Sequence, residues 1–498
     1  MSLKRTSRSS TSKGMLMSNL FFRAGHFCIL VFSLMVCTQA LATEETPKDL
    51  YDIEYYQLPN GLSVLLKERR QAESVSFRVV VNIGMADYSC GRKETPHFLE
   101  HLLISGTQAH TESQHDDLIA ENGGEWNAYA AEEETVYTID IGSRRAAIGL
   151  EALHDIITDS RITQENVDNI RNIVHRESGG EPTIYKQWFD KLFFGFPGGE
   201  VAHKKLLEGT TYACLEPESV DDIKESDLRE AQDRYYVAKN MAIIAVGDFD
   251  SAGMKKIIES AFGEMRAGER IRRPIQVPNP VSSMSVVTGT FSPVIGNEAL
   301  AGVAYASGGK QSPDYYSRWF IEKYLADRLY KKLRVEEGIS YAPSVERISY
   351  SDIDVWFAYA DTELYKVDEA VGLIQLEIDQ LVNNGVSEEL LSAIKNRLLS
   401  TIAQGYESNR EIADFYVESL HEIQKFGDLT RREEKINALS VSDIQRVASQ
   451  IFAKAPPIVF RDTPTLTYTQ LIVLLGVFAL FVGYFIYRFV SRRVFSQK

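Results

Sequence analysis

From residue 50 to residue 265 the apolar positions switch between two rhythms. Gly61–Leu66 and Val75–Ile83 are short runs of branched and aromatic residues, and both read as strands. Thr95–Ile104 repeats its apolar residues at helical spacing, with Thr95 as N-cap, Pro96 in the first turn and Gly106 as a stop. Thr135–Ile141 predicts a strand and Ala146–Thr158 a helix. A further helix starts near Thr163, carries Glu165 and Asp168 in its first turns, and ends at Gly179-Gly180. Met241–Val246 is another strand, and the three prolines between Arg272 and Pro280 mark a linker.

Beyond the linker the pattern recurs. Ala147-Ile148-Gly149-Leu150 is echoed by Ala370-Val371-Gly372-Leu373 at an offset of 223, and the helix from Thr163 is echoed from Ser387 at 224. Two copies of one unit explain this better than two unrelated domains. The expected fold is α+β: two homologous α/β-sandwich units, each an antiparallel-rich sheet packed with helices, over residues 43–268 and 283–462, joined by a linker at 269–282.

The ends differ from the body. Residues 1–42 hold five basic residues and no acid, an apolar run from Phe27 to Cys37, and the small-x-small site Ala40-Leu41-Ala42. That order is a secretory signal peptide. A mitochondrial transit peptide competes on the Ser-rich, basic start but usually lacks such an apolar block. Near the other end, Leu471–Tyr487 is uncharged and apolar, which predicts a transmembrane helix over 469–488 and a basic cytoplasmic tail over 489–498. Both signals place the body outside the cytoplasm, in the periplasm or exterior, on an inner-membrane single-pass anchor.

Charge sharpens this division. The net −15 is a sum of +5 in the leader, +4 in the last 29 residues and −24 between them. An acidic body disfavours nucleic-acid binding, which needs fields of Lys and Arg. It would favour basic peptides as partners. Two of the four cysteines lie in the leader; Cys90 and Cys214 remain, either as one disulfide or as two isolated small hydrophobes.

The chemistry concentrates at His97-Phe98-Leu99-Glu100-His101. On a helix, residues i and i+4 share a face, so both imidazoles can approach one ion while Glu100 stands beside it. Hydrolytic zinc takes three protein ligands and keeps one position open, and His-x-x-Glu-His is the inverted form of the zincin motif.

With that motif, Ser105-Gly106-Thr107, Gly123-Gly124-Glu125-Trp126-Asn127-Ala128, Thr135-Val136-Tyr137 and Val174-His175-Arg176-Glu177, the chain resembles the pitrilysin/insulinase family of metallopeptidases, which includes the mitochondrial processing peptidases. The resemblance spans residues 50–460. It implies a third zinc ligand at Glu177, beside His97 and His101, and a general base at Glu100. It further implies a peptide-binding edge strand at Asn127-Ala128 and, in the second copy, backbone and oxyanion contacts from Arg334 and Tyr341. Residues 97–101 shifted by 223 become Phe320-Ile321-Glu322-Lys323-Tyr324, and Glu177 falls on Ser400 or Thr401, so one Zn²⁺ per chain is expected, in the first copy only. One departure stands out. Many family members carry a supporting Glu seven residues before the third ligand; here it is Ile170, which leaves Asp168 or Glu134 as the expected support.

The expected function is a membrane-anchored zinc endopeptidase acting on short or unfolded peptides. The resemblance implies a dimer, with itself or with an inactive relative. The alternatives are a non-catalytic scaffold or chaperone-like subunit, and a peptide-binding or uptake component.

Overall fold

The computed structural model describes residues 50–177, 183, 185, 197–214, 220–291 and 295–495. The expected signal peptide, the helix end at Gly179-Gly180 and the last residues of the tail lie outside them.

The first sheet is built from β1 (Glu54–Gln57), β2 (Ser63–Glu68), β3 (Ser74–Val81), β4 (Glu125–Ala130), β5 (Thr135–Gly142) and β6 (Met241–Gly247), in the order β1-β2-β6-β3-β5-β4. Only β2 and β6 pair in parallel. Strand β2 starts two residues later than the sequence pattern suggests. Gly61 adopts φ +91° and the Asn60 side chain accepts from the Leu62 amide at 3.1 Å, so both residues belong to a turn. Helices α1 (Thr95–Ile104), α2 (Glu112–Glu121), α3 (Ala146–Thr158), α4 (Gln164–Glu177), α5 (Gly198–Leu206), α6 (Glu225–Tyr235) and α7 (Ser251–Phe262) accompany this sheet in the sequence.

The second sheet holds β7 (Ser285–Thr290), β8 (Glu298–Gly308), β9 (Ser344–Ser349), β10 (Ile353–Glu363) and β11 (Ile458–Thr463), in the order β7-β11-β8-β10-β9. Again one pair, β7 with β11, is parallel. Without β1, the first sheet has the same order in chain sequence and the same parallel pair. The repeat read from the sequence is therefore a repeat of topology. Helix α8 (Tyr315–Leu329) stands where α1 stands in the first copy and runs into a π-helical turn, Tyr330–Glu336. It is followed by α9 (Val367–Asn384), α10 (Glu388–Gln404), α11 (Asn409–Phe426), α12 (Arg432–Ala438) and α13 (Val441–Phe452).

Alternation along the strands gives each sheet two apolar faces. One face of the first sheet, with Val64, Phe77, Val79, Ile139 and Ile243, packs on the first half's own helices. The other, with Leu65, Val80, Val136, Ile244 and Val246, is covered by α11, which comes from the second half. The reverse holds for the second sheet, where Val355, Phe357 and Phe460 are covered by Ala202 and Leu206 of α5 and by Tyr212. Each half thus lends a helix to its counterpart.

Polar groups fix both loans. On β3 the buried Arg78 meets Asp414 of α11 at 2.6 Å and Asp140 of β5 at 3.0 Å, and Arg410 of α11 reaches Asp140 at 2.7 Å. The Asp462 carboxylate of β11 accepts from the Gly198 amide at the start of α5. A Cβ on Gly198 would come within 2.7 Å of that carboxylate, so the contact requires glycine.

Cys90 and Cys214 form a disulfide, with Cα atoms 5.3 Å apart and 124 residues between them in sequence. It ties the loop entering α1 to the segment leaving α5. In the chain-entropy picture a closed loop of that length contributes about 5 kcal/mol. Finally, α14 (Tyr468–Phe495) contains a stretch, Tyr468–Ser491, that is long and apolar enough to cross a membrane and is entirely unburied. Its base is held to the body by backbone bonds from Phe291 to Thr463 and from Gly296 to Leu466, each 3.0 Å.

Two outcomes follow from this packing. Tyr416 of α11 is fully buried against the first sheet, so Tyr416→Ala should lower stability by about 3–5 kcal/mol. It should also speed hydrogen exchange at the β3 and β6 amides, in the half of the chain that does not contain the mutation. Mass spectrometry after alkylation without reductant should find Cys90 and Cys214 unmodified, and with reductant should find both labelled.

Candidate metal centre

Helix α1 sorts its residues by face. Phe98, Leu99, Leu102 and Leu103 are fully buried in the first core. His97, Glu100 and His101 share the remaining arc, and α1 packs against α4, α6 and β4. The N-cap is Glu94 rather than Thr95, whose hydroxyl instead donates to the Arg92 carbonyl at 2.7 Å. Glu94 makes no side-chain cap, because its carboxylate accepts from His97 Nδ1 at 2.8 Å.

Helix α4 delivers the third group. Val167, Ile170 and Val174 are buried at helical spacing and seat α4 beside α1. Arg171 lies over the Phe98 ring at 5.7 Å, and its guanidinium donates to the Ile223 carbonyl at 2.6 Å. One turn beyond Val174, Glu177 meets both imidazoles. The Nε2 atoms of His97 and His101 are 3.2 Å apart, and Glu177 Oε2 lies 3.3 Å from the first and 3.2 Å from the second. Among the described residues this is the one cluster of three His, Cys, Asp or Glu donors converging within 4.8 Å.

That triangle has the dimensions of a metal site. Bonds of about 2.0–2.1 Å in tetrahedral array put donor atoms about 3.3–3.4 Å apart. Two imidazoles and a carboxylate are also the donor set that suits zinc at hydrolytic sites.

Glu100 is 5% exposed, next to but outside the triangle. Burial is the main influence on it and pushes its carboxyl above the usual carboxylate range; the two histidines oppose the shift and Glu177 adds to it. Behind it the buried hydroxyls of Tyr137 and Tyr236 meet at 2.9 Å. For His97, the bond from Glu94 is the largest influence and raises the imidazole above its ordinary value, against the effect of burial.

The other expected residues lie on an edge strand of the first sheet and in the second half. Asn127 and Ala128 lie on β4, the outermost strand of the first sheet, which pairs with β5 alone. Arg334 and Tyr341 stand together in the second half. Arg334 donates to the Tyr341 carbonyl at 2.6 Å and covers its ring at 4.3 Å, while Asp361 accepts from the Ser340 hydroxyl at 2.6 Å and from the Ala342 amide at 2.7 Å. Their hydrogen bonds stay within the second half. Phe320 and Ile321, the counterparts of His97 and Phe98, are fully buried core residues.

Neither acid expected to support the site does so. Asp168 is bonded to Arg171 at 2.8 Å and to Gln164 at 2.9 Å. Glu134 lines a polar pocket between the halves, with Arg273, Lys310 and His421. Ile170 is an ordinary core residue. The carboxylate that meets the Nδ1 side of His97 is Glu94, which sequence reading passed over. Its signal was an acid three residues before the first His, one helical turn away.

An inverted His-x-x-Glu-His helix and an acid from a second helix, on one copy of a twofold α+β repeat, define a class of metal-dependent peptidase folds. Comparison makes the class specific. Residues 63–182 match the family described as Insulinase (Peptidase family M16), and residues 222–398 match the Peptidase M16 inactive domain. The chain belongs to the insulinase family, M16. An uncharacterized zinc protease of Rickettsia felis is 23% identical over 410 residues, covering 80% of this chain and 94% of the relative. The mitochondrial-processing peptidase subunit beta of Blastocladiella emersonii is 28% identical over 215 residues, 43% of this chain and 44% of its own. Among solved structures, a Helicobacter pylori protease superposes with a TM-score of 0.70 at 17% identity, covering 84% of this chain and all of that one. The periplasmic protease PqqL from Escherichia coli gives 0.67 at 15% identity, over 86% of this chain and 50% of its own. At such identities these structures speak for the fold.

The raised carboxyl of Glu100 has a consequence for the chelated protein. A folded-state pKa above the unfolded one contributes stability that is fully present below the ordinary carboxylate range and lost as pH rises through the raised value. Glu100→Gln should therefore melt higher than the parent at neutral pH in the presence of chelator, and the difference should vanish on acidification. Thermal scans at three or four pH values measure this.

Proposed function

We propose that this chain is a zinc-dependent endopeptidase that hydrolyses short or unfolded peptides. The observation that carries the reading is the triangle of His97 Nε2, His101 Nε2 and Glu177 Oε2 with the buried Glu100 carboxylate at its side. His97, His101 and Glu177 would hold one Zn²⁺ per chain. When bound, the ion supplies Lewis-acid polarisation of the scissile carbonyl and acidifies water in its open position.

The chain's own groups do the rest. Glu100 takes a proton from water at its carboxylate and returns it to the leaving amine, a role suited to a carboxyl whose proton affinity burial has raised. The outward backbone of β4 around Asn127 and Ala128 receives an extended peptide as an added strand, laying it along α1. Arg334 and Tyr341 supply a cation and a phenol for the substrate backbone and the developing oxyanion.

In this reading residues 43–268 carry the catalytic unit and 283–462 a metal-free counterpart, joined by 269–282. The signal peptide at 1–42 exports the body, and the helix over 469–488 holds it to the inner membrane, with the tail at 489–498 cytoplasmic. Catalysis takes place in the periplasm or exterior. The relative named as a subunit of a processing peptidase supports a dimeric assembly, homodimeric or with an inactive relative. The acidic body favours basic peptides.

The test separates metal binding from chemistry. Glu100→Gln should keep one zinc per chain while cleavage of a diverse peptide mixture falls by about 10²–10⁴-fold. His101→Ala should lose both. Cleavage by Glu100→Gln at the parent's rate removes Glu100 from the mechanism, and a zinc-loaded parent that cleaves nothing in the mixture leaves a scaffold.

A further inference from the structure

His97 is held at both ends. Its Nε2 faces His101 and Glu177, and its Nδ1 lies 2.8 Å from the Glu94 carboxylate. A neutral imidazole carries one proton, and a carboxylate partner keeps that proton on the nitrogen it touches. Nε2 is then bare and directed at the point where the three donors converge.

Glu94 occupies an unusual place for this task. It is the N-cap of α1, in helical conformation with φ −73° and ψ −2°, yet caps no backbone amide. Its side chain is 18% exposed and that of His97 27%, so the bond is only partly screened by water. A carboxylate there also suits the positive end of the helix dipole. Position 170, on the helix that carries Glu177, holds an isoleucine in the core. Asp168 is bonded to Arg171, and Glu134 lines the pocket between the halves.

We propose that Glu94 is a positioning residue of the metal centre, whose carboxylate keeps the proton of His97 on Nδ1 and turns Nε2 toward the ion. The assignment rests on reading His97, His101 and Glu177 as zinc ligands. Support for the ligands in this chain thus comes from the entrance of the first helix, one turn before His97, instead of from the helix of the third ligand. A side chain so close in sequence to the group it orients needs only α1 to be folded.

The experiment uses the detergent-solubilised full chain and titrates Zn²⁺ against a chromophoric chelator. Glu94→Ala should weaken zinc binding by about 10–100-fold, the usual effect of removing a partner behind a ligating histidine. Glu94→Gln keeps an oxygen acceptor for Nδ1–H and should recover most of the affinity. The zinc-free melting temperatures of both variants should fall by only a few degrees, the effect of losing a helix-end charge, which separates orientation of the ligand from loss of fold. If His101→Ala loses zinc while Glu94→Ala binds it within about twofold of the parent, the Glu94 assignment falls alone. A Glu94→Gln variant as weak as Glu94→Ala overturns the tautomer role. Should His101→Ala bind zinc like the parent, the ligand reading fails, and the Glu94 assignment with it.

Discussion

Neither sheet of this protein can cover both of its faces with residues from its own half. The alternation of Leu65, Val80, Val136 and Ile244 leaves the first sheet a second apolar face, and α11 from the other half buries it. The second sheet leaves an equivalent debt to α5, Leu207 and Tyr212. Apolar burial of this kind is the largest favourable term in folding, and here it is satisfied only when both halves are present. Arg78 with Asp414, and Asp462 with Gly198, add direction to the exchange, since a buried charge or carboxylate accepts few alternative arrangements.

Within that frame the two copies have diverged at one helix. Both α1 and α8 press apolar residues into their cores. In α1 the remaining arc carries His97, Glu100 and His101, whereas in α8 the position corresponding to His97 is Phe320, wholly inside. The His97, His101 and Glu177 cluster is thus a change of three or four side chains on an otherwise repeated scaffold. What makes it specific is α4, whose buried Val167, Ile170 and Val174 fix the height at which Glu177 arrives.

How legible this was in the sequence depended on the range of the interaction. The His-x-x-Glu-His helix could be read because its partners are four residues apart, and α3 was placed at its observed limits because its apolar spacing is unambiguous. The repeat was visible because both copies keep a small residue at the same point of one helix, Gly149 and Gly372. Strands β1 and β4 were not marked by pattern: both are edges, half exposed, and β4 alternates without a strongly apolar side. The exchange of α5 and α11 was invisible, since an amphipathic helix does not announce which sheet it will cover. Glu94 escaped for a different reason. An acid at the first turn of a helix is ordinarily a favourable end charge, and only the folded structure shows it turned toward an imidazole.

The disulfide has a further consequence. His97, Glu100, His101 and Glu177 all fall between Cys90 and Cys214 in the sequence. A single backbone cut anywhere in that interval leaves the two pieces covalently joined, with all four of these side chains still attached to the body. Nicked within this loop, the molecule keeps its fragments together, and damage that would otherwise separate α1 from α4 becomes a local break in a closed ring.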